Sequence, residues 1–106
     1  MIRVVLEHEA KDLDHAKQLI KGIDKTRAEA KKQHGFITGD TLVDVKDKCH
    51  VVVISSWQRL EDWKAWDESD IRISMLPLIN DHLREAYTEN TMQSEVIWKE
   101  EIQHVF

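Results

Sequence analysis

The chain has 106 residues, of which 42% are hydrophobic and 33% are charged, with three glycines and a single proline. This length and composition predict one folded domain that spans residues 1–106, and they exclude a disordered or loop-rich scaffold. The formal net charge of −5 argues against a nucleic-acid partner, because contacts with a phosphate backbone need clustered lysine and arginine side chains.

Two features of the sequence bear on where the protein works. The N-terminal segment MIRVVLE has no charged leader followed by the roughly 7–15 apolar residues of a signal peptide. The longest apolar run, at residues 51–54, is too short to span a bilayer. These patterns predict a cytoplasmic protein without a membrane partner.

The first third of the chain has the pattern of a strand followed by a helix. Residues 2–8 are rich in β-branched side chains, which favours a strand. Asp12 or Asp14 can cap the start of the helix, and Gly35 is expected to end it near His34. Between them an apolar stripe with one charged member recurs at helical spacing: Leu13, Ala16, Ile20, Ile23, Arg27 and Ala30.

The remaining two thirds contain three strand patterns and two helical patterns. Pro77 should break the second helical segment, because proline lacks a backbone donor. The predicted bounds are 36–43, 49–56 and 92–103 for the strands, and 58–69 and 70–86 for the helices. The predicted order is therefore β-α-β-β-α-β.

This order is that of the ferredoxin-like fold, an α+β fold in which one antiparallel sheet carries two helices on one face. Strands of such a sheet should alternate between polar and apolar residues, because only one face is covered. Residues 4–6 and 51–54 are instead apolar without alternation, so both faces of the sheet would be apolar. We therefore predict that a second copy covers the other face in a symmetric homodimer.

Two segments resemble the antibiotic biosynthesis monooxygenase (ABM) superfamily, whose members are dimeric α/β barrels. Residues 34–42, HGFITGDTL, are similar to the family's Gly-Phe after the first helix. Residues 51–66 are similar to its strand, tryptophan, and helix that ends in a second tryptophan. One departure is Arg59, where the family usually has a small polar helix cap. The resemblance implies a ferredoxin-like dimeric α/β barrel, shared by cofactor-free oxygenases, haem-degrading enzymes and signal-molecule-processing proteins.

The resemblance also implies a pocket between the helices and the sheet. Trp66 matches the tryptophan of the haem-degrading members, whereas Trp57 and Trp63 are expected to fill the core. Those members also carry an asparagine, whose position falls at Glu7, and an axial histidine, whose position falls at Met75 or Leu76. Haem binding with Met75 as a ligand is therefore an alternative, and Glu7 could bind a phenol hydroxyl.

The six histidines show no i,i+4 pair of the kind that forms a helical zinc site, so no metal centre is expected. His8 and His82 are candidate general bases that could generate an oxidisable anion, although each could equally be a hydrogen-bonded structural residue. The leading hypothesis is a cofactor-independent oxygenase for a flat apolar quinol or phenol, bound by Trp66, Met75, Leu76 and His82. The alternatives are a haem-binding or haem-degrading enzyme and a non-catalytic dimeric ligand-binding module.

Overall fold

The structure, a computed structural model, describes residues 1–85 and the backbone of residues 94–99. Within these residues no helix is long and apolar enough to cross a membrane. This part of the chain contains four strands and four helices. They are β1 (Ile2–Glu9), α1 (Leu13–Ala30), β2 (Phe36–Val43), β3 (His50–Trp57), α2 (Leu60–Asp67), α3 (Asp70–Met75), α4 (Pro77–Asn80) and β4 (Ser94–Lys99).

The strands form one sheet in the order β2-β3-β1-β4, and all neighbouring strands are antiparallel. This is the ferredoxin-like order, so the predicted fold is confirmed. In β1 the residues that face the helices are buried, and the register places Val4 opposite Ser55 and Leu6 opposite Val53. The buried face of β1 ends at His8, which is the one titratable group on that face of the strand.

Helix α1 begins as predicted and ends earlier than predicted. Asp12 is the N-cap, and its carboxylate accepts a hydrogen bond from the backbone N–H of His15 at 2.8 Å. The helix ends at Ala30, and Gly35, with φ +83°, instead forms the turn into β2. A side chain at position 35 would also collide with Asp62, because an added Cβ would lie 2.2 Å from its Oδ2 atom.

The buried face of α1 differs from the predicted stripe at its beginning. Leu13 is 56% exposed, whereas Leu19 is fully buried. Further along, Gly22 packs against α4, because a Cβ at that position would lie 2.2 Å from the carbonyl oxygen of Leu78. The absence of a side chain at Gly22 therefore sets how closely α1 and α4 approach.

The helical segments after β3 are shorter than predicted. The side chain of Ser69 accepts a hydrogen bond from the backbone N–H of Arg72 and thereby starts α3. Pro77 takes the first position of α4, where its missing N–H has no helical partner to lose. The predicted helical continuation over residues 81–85 is wrong, because these residues form a turn and an isolated bridge between Leu83 and Ala10. Residue 86 and the two ends of the predicted last strand lie outside the described residues.

Helix α2 has no side-chain cap, which agrees with the presence of Arg59 at its N-cap position. The Arg59 guanidinium instead donates to the carboxylate of Asp62 at 3.4 Å. Glu61 and Asp62 in the first turn place negative charge beside the positive end of the helix dipole. Charge in the first turn therefore takes over part of the role of the missing cap.

Candidate functional site

A cavity of about 60 Å³ lies between the helices and the sheet, and we call it the central cavity. Its lining combines a large apolar surface with a few polar groups from β1, α1, β3 and α3. The lining residues are Leu6, His8, Ile23, Thr26, Arg27, Ala30, Phe36, Val53, Ser55, Trp57, Trp63, Trp66, Arg72 and Ile79.

Aromatic rings form one side of the central cavity. The rings of Phe36 and Trp57 meet edge to face, with centroids 5.2 Å apart, and those of Trp57 and Trp63 lie 5.9 Å apart. Trp66 completes this side and is also buried. Trp57 and Trp63 were expected to fill the core, and they do so, but they also line the central cavity together with Trp66.

His8 is the titratable base of the central cavity, and its residue is 2% exposed. Burial, together with the positive charge of Arg72, lowers the pKa of His8 from 6.5 to about 4. The imidazole is therefore neutral at pH 7 and can accept a proton. A proton acceptor with so low a pKa is weak, because effective general bases have pKa values near the operating pH.

Arg72 lies inside the protein, although the residues on either side of it are apolar. Ile71 and Ile73 are 47% and 52% exposed, whereas Arg72 is 7% exposed. Its guanidinium Nη1 lies 3.2 Å from the Asp67 carboxylate, and its Cζ lies 5.7 Å from the centroid of the Trp63 ring. An ion pair and a cation–π contact thus hold this positive charge against the central cavity.

Arg27 brings a second positive charge to the central cavity from α1. Its Nη2 donates a hydrogen bond to the Thr41 hydroxyl at 2.5 Å, so the side chain crosses β2. Gly39 makes this path possible, because a Cβ at that position would lie 2.9 Å from the Arg27 Nε atom. The Asp24 carboxylate lies 3.6 Å from Arg27 on the solvent side.

The structure brings two of the predicted site residues together, His8 and Trp66, which both line the central cavity. Met75 and Leu76 are half-buried where α3 meets α4 and do not line it. Both lie on the C-terminal side of α3, whereas Arg72 is the residue of this helix that reaches the cavity.

His82 and Glu7 also lie away from the central cavity. The Nδ1 atom of His82 is 2.9 Å from that of His15, so His82 links the turn after α4 to the first turn of α1. Glu7 is exposed on the face of the sheet opposite the helices, where its carboxylate lies 3.8 Å from His50 Nε2. The hydrogen bond that protonated His50 donates to the Asp44 carboxylate raises the pKa of His50, and the negative charges of Glu9 and Glu7 add to that effect.

Comparison with solved structures assigns the fold. A crystal structure of an antibiotic biosynthesis monooxygenase superposes with a TM-score of 0.77 at 19% identity, covering 96% of this chain and 100% of that one. A mutant of SnoaB from Streptomyces nogalater, a cofactor-independent oxygenase, gives a TM-score of 0.79 at 10% identity and covers 99% of this chain and 97% of its own.

The chain has the antibiotic biosynthesis monooxygenase fold. A conserved protein from Methanosarcina mazei shares it as well, with a TM-score of 0.77 at 15% identity over 94% of this chain and 92% of that one. No protein-family model and no curated protein matches the sequence. The fold is therefore recognisable from the structure, although these three proteins are only 10–19% identical to this chain.

Haem binding through Met75, the alternative predicted from the sequence, is not supported, because Met75 does not line the central cavity. The cavity of about 60 Å³ is also far below the roughly 300–1,000 Å³ of pockets that hold drug-sized ligands. Among the described residues no group of three or more histidine, cysteine or acidic side chains is arranged to hold a metal ion.

Two site residues were not predicted, Arg27 and Arg72. Arg27 had a detectable signal, because it is the one charged residue in the apolar stripe of α1. Arg72 had no such signal in the sequence. Its apolar neighbours Ile71 and Ile73 would be expected to be buried and Arg72 to be exposed, and the structure shows the opposite. The break between α2 and α3 turns Arg72 inwards, and this break depends on the Ser69 cap.

Proposed function

We propose that the protein is a cofactor-independent oxygenase that oxidises a flat, apolar quinol- or phenol-type small molecule in the central cavity. The supporting observation is the position of His8, a buried neutral imidazole on the same cavity surface as Trp66. SnoaB, which has the same fold, is a cofactor-independent oxygenase. In this proposal His8 is the base and Trp66 stacks on the substrate ring.

The proposed chemistry needs only the substrate, dioxygen and a base. The substrate O–H proton passes to the unprotonated ring nitrogen of neutral His8, and the resulting anion delocalises its charge onto a ring carbon. That carbon, which carries a hydrogen, forms a C–O bond with dioxygen, and the peroxide anion takes back the proton held by His8. Loss of water from the resulting hydroperoxide leaves a carbonyl group. The substrate loses two hydrogens and gains one oxygen, and the second oxygen atom leaves as water. The apolar lining keeps bulk water away from the anion.

The size of the central cavity sets a condition on the substrate. Its volume of about 60 Å³ is below the roughly 150 Å³ of an engineered cavity that binds benzene. A ring can therefore enter only if lining side chains move apart. We expect single-ring quinols to be oxidised more readily than molecules with several fused rings.

The proposal includes a homodimer that forms through the outer face of the sheet, the face opposite the helices. Val5, Val52 and Ile54 form an apolar stripe on that face and are half-buried, and Leu42 beside Val52 is 51% exposed. An apolar stripe flanked by charged residues is typical of a surface that a partner covers. A second copy of the same sheet would present the same stripe and would complement it.

Oxygen consumption with a panel of single-ring and fused-ring quinols tests the enzymatic proposal. The His8→Gln variant should lose most of the turnover, whereas His82→Gln, which removes a histidine outside the central cavity, should retain it. Equal loss in both variants, or no turnover with any quinol, would contradict the proposed role of His8.

A non-catalytic ligand-binding module is the second candidate, and the low pKa of His8 favours it. A base with a pKa of about 4 removes a phenolic proton at a large energetic disadvantage. Stoichiometric binding of an aromatic ligand with no oxygen consumption over hours would identify this function. Native mass spectrometry of the purified protein would report a retained ligand directly.

A further inference from the structure

We propose that Arg27 and Arg72 form a subsite that selects aromatic ligands with an ionised oxygen, a carboxylate or an acidic phenolate, over neutral rings. This inference rests on the proposed function in that it uses the same cavity and names the class of molecule that the cavity accepts. The two residues would act as specificity determinants, each in contact with the ligand's anionic group.

The first observation is that two positive charges from different helices converge on one cavity. Arg27 belongs to α1 and Arg72 to α3, and both line the central cavity. Their side chains are only 16% and 8% exposed. No aspartate or glutamate occurs among the lining residues that the structure describes. Positive charge beside a low-dielectric lining acts more strongly on a ligand than it would in water.

The second observation is that the carboxylates paired with these arginines lie towards solvent. The side chain of Asp24, the partner of Arg27, is 64% exposed, and that of Asp67, the partner of Arg72, is 37% exposed. Solvent screens each carboxylate more than the guanidinium it pairs with. The lining of the central cavity is therefore positively polarised, although each arginine has a counter-charge.

The state of His8 agrees with this polarisation. The positive charge of Arg72 is one cause of the low pKa of His8, and the same field that disfavours a protonated imidazole favours an anionic ligand. The arginines would hold the anionic group of the ligand, and His8 would remain the base for a phenolic hydroxyl on the same ring.

The third observation is that Arg27 is held on a defined path. Its side chain passes over Gly39 to reach the hydroxyl of Thr41, and a Cβ at position 39 would lie 2.9 Å from its Nε atom and 3.2 Å from its Cδ atom. A Gly39→Ala variant would therefore displace Arg27 while keeping every charge of the protein. This substitution therefore tests whether the position of the Arg27 guanidinium matters, because the guanidinium itself is retained.

Calorimetric titration with benzoate and with benzamide tests the subsite, because the two probes share shape and differ in charge. Benzoate should bind the native protein on the order of tenfold or more tightly than benzamide, as expected for charge-assisted hydrogen bonds. Arg27→Gln and Gly39→Ala should each reduce this preference severalfold. Lys25→Gln removes the same charge from an exposed position of α1 and should leave the preference unchanged.

The outcomes separate this inference from the proposed function. Equal affinity for benzoate and benzamide, or the same loss of preference in Lys25→Gln as in Arg27→Gln, would overturn the subsite, even if quinol turnover were observed. Benzoate preference that depends on Arg27, with no oxygen consumption by any substrate, would support the subsite and contradict the oxygenase. Failure of both probes to bind would overturn the subsite whatever the turnover, and a quinol-oxidation assay would then decide the oxygenase separately.

Discussion

The guanidinium of Arg72 lies over the ring of Trp63, with 5.7 Å between the Arg72 Cζ atom and the ring centroid. The Asp67 carboxylate holds the same guanidinium from the solvent side at 3.2 Å. One buried cation therefore joins α3 to two turns of α2. Arg72 stabilises the packing of these two short helices as well as lining the central cavity.

Replacing Arg72 by methionine should lower the free energy of unfolding by about 2 kcal/mol, because the cation–π contact and the ion pair are both lost. The expected loss is below the roughly 3–5 kcal/mol of a broken, fully buried pair, since Asp67 is 37% exposed and water can solvate it. Urea denaturation measures the change. Lys25→Met, at an exposed position, is the control, and an equal effect of both substitutions would show that the contacts of Arg72 add no stability.

Two glycine-to-alanine substitutions should destabilise the protein to different extents. At Gly22 the new Cβ would meet the backbone carbonyl of Leu78 at 2.2 Å, so α1 and α4 must separate. Overpacking should destabilise by about 2 kcal/mol, although alanine itself favours the helix by about 1 kcal/mol. At Gly39 the nearest atoms belong to the flexible side chain of Arg27, which can move aside.

Thermal unfolding of the Gly22→Ala and Gly39→Ala variants measures this difference. We expect a clear drop in melting temperature for the first and a small change for the second. A drop of the same size in both would show that the position of Arg27 contributes as much to stability as the contact between α1 and α4.

Stability should fall as the pH drops from 6.5 towards 4, because of His8. The folded state holds the pKa of His8 at about 4, below its value of 6.5 in the unfolded chain. Between these two values the unfolded chain binds a proton that the folded protein does not, so acidification favours unfolding. The full effect is about 3 kcal/mol, present above pH 6.5 and lost by pH 4.

Urea denaturation at several pH values between 4 and 7.5 checks this prediction. The His8→Gln variant cannot take up the proton, so its stability should depend less steeply on pH than that of the native protein. The difference between the two curves isolates His8 from the other titrating groups. Parallel curves would mean that His8 has an ordinary pKa in the folded protein.

A lysine at position 54 should convert the proposed homodimer into a monomer. Ile54 belongs to the apolar stripe of the outer face, opposite Val5 in β1, and a buried unpaired charge there would oppose association. Ile73→Lys is a matched control, because Ile73 is an exposed isoleucine on α3, on the helix side of the sheet. Native mass spectrometry should show a monomer for the first variant and a dimer for the second, and a dimer in both would place the interface elsewhere.

Much of the fold is predictable from local patterns. The β-branched runs locate β1, β2 and β3 to within one residue at each end, and Asp12 and Pro77 mark helix starts as expected. Errors occur where an element's end depends on distant groups. Gly35, for example, was expected to end α1, whereas its backbone angle serves the turn beside Asp62.

The candidate site was predictable only in part. Trp66 was identified by its match to the tryptophan of the ABM resemblance, and His8 was identified as a candidate general base; both line the central cavity. Met75, Leu76 and His82 were expected beside them through an assumed helix over residues 70–86. The structure divides that segment into α3 and α4, and Met75, Leu76 and His82 do not line the central cavity.

The sequence by itself determined the order of the elements and the fold, because hydrophobic periodicity and capping act over a few residues and need no knowledge of the rest of the chain. Only the tertiary structure decided which polar groups meet. Arg27 reaches the central cavity because Gly39, on a different element, leaves room for it. Arg72 reaches it because a break between two short helices turns it inwards against Trp63. The positions of these two side chains depend on contacts between residues far apart in the chain, which no local pattern encodes.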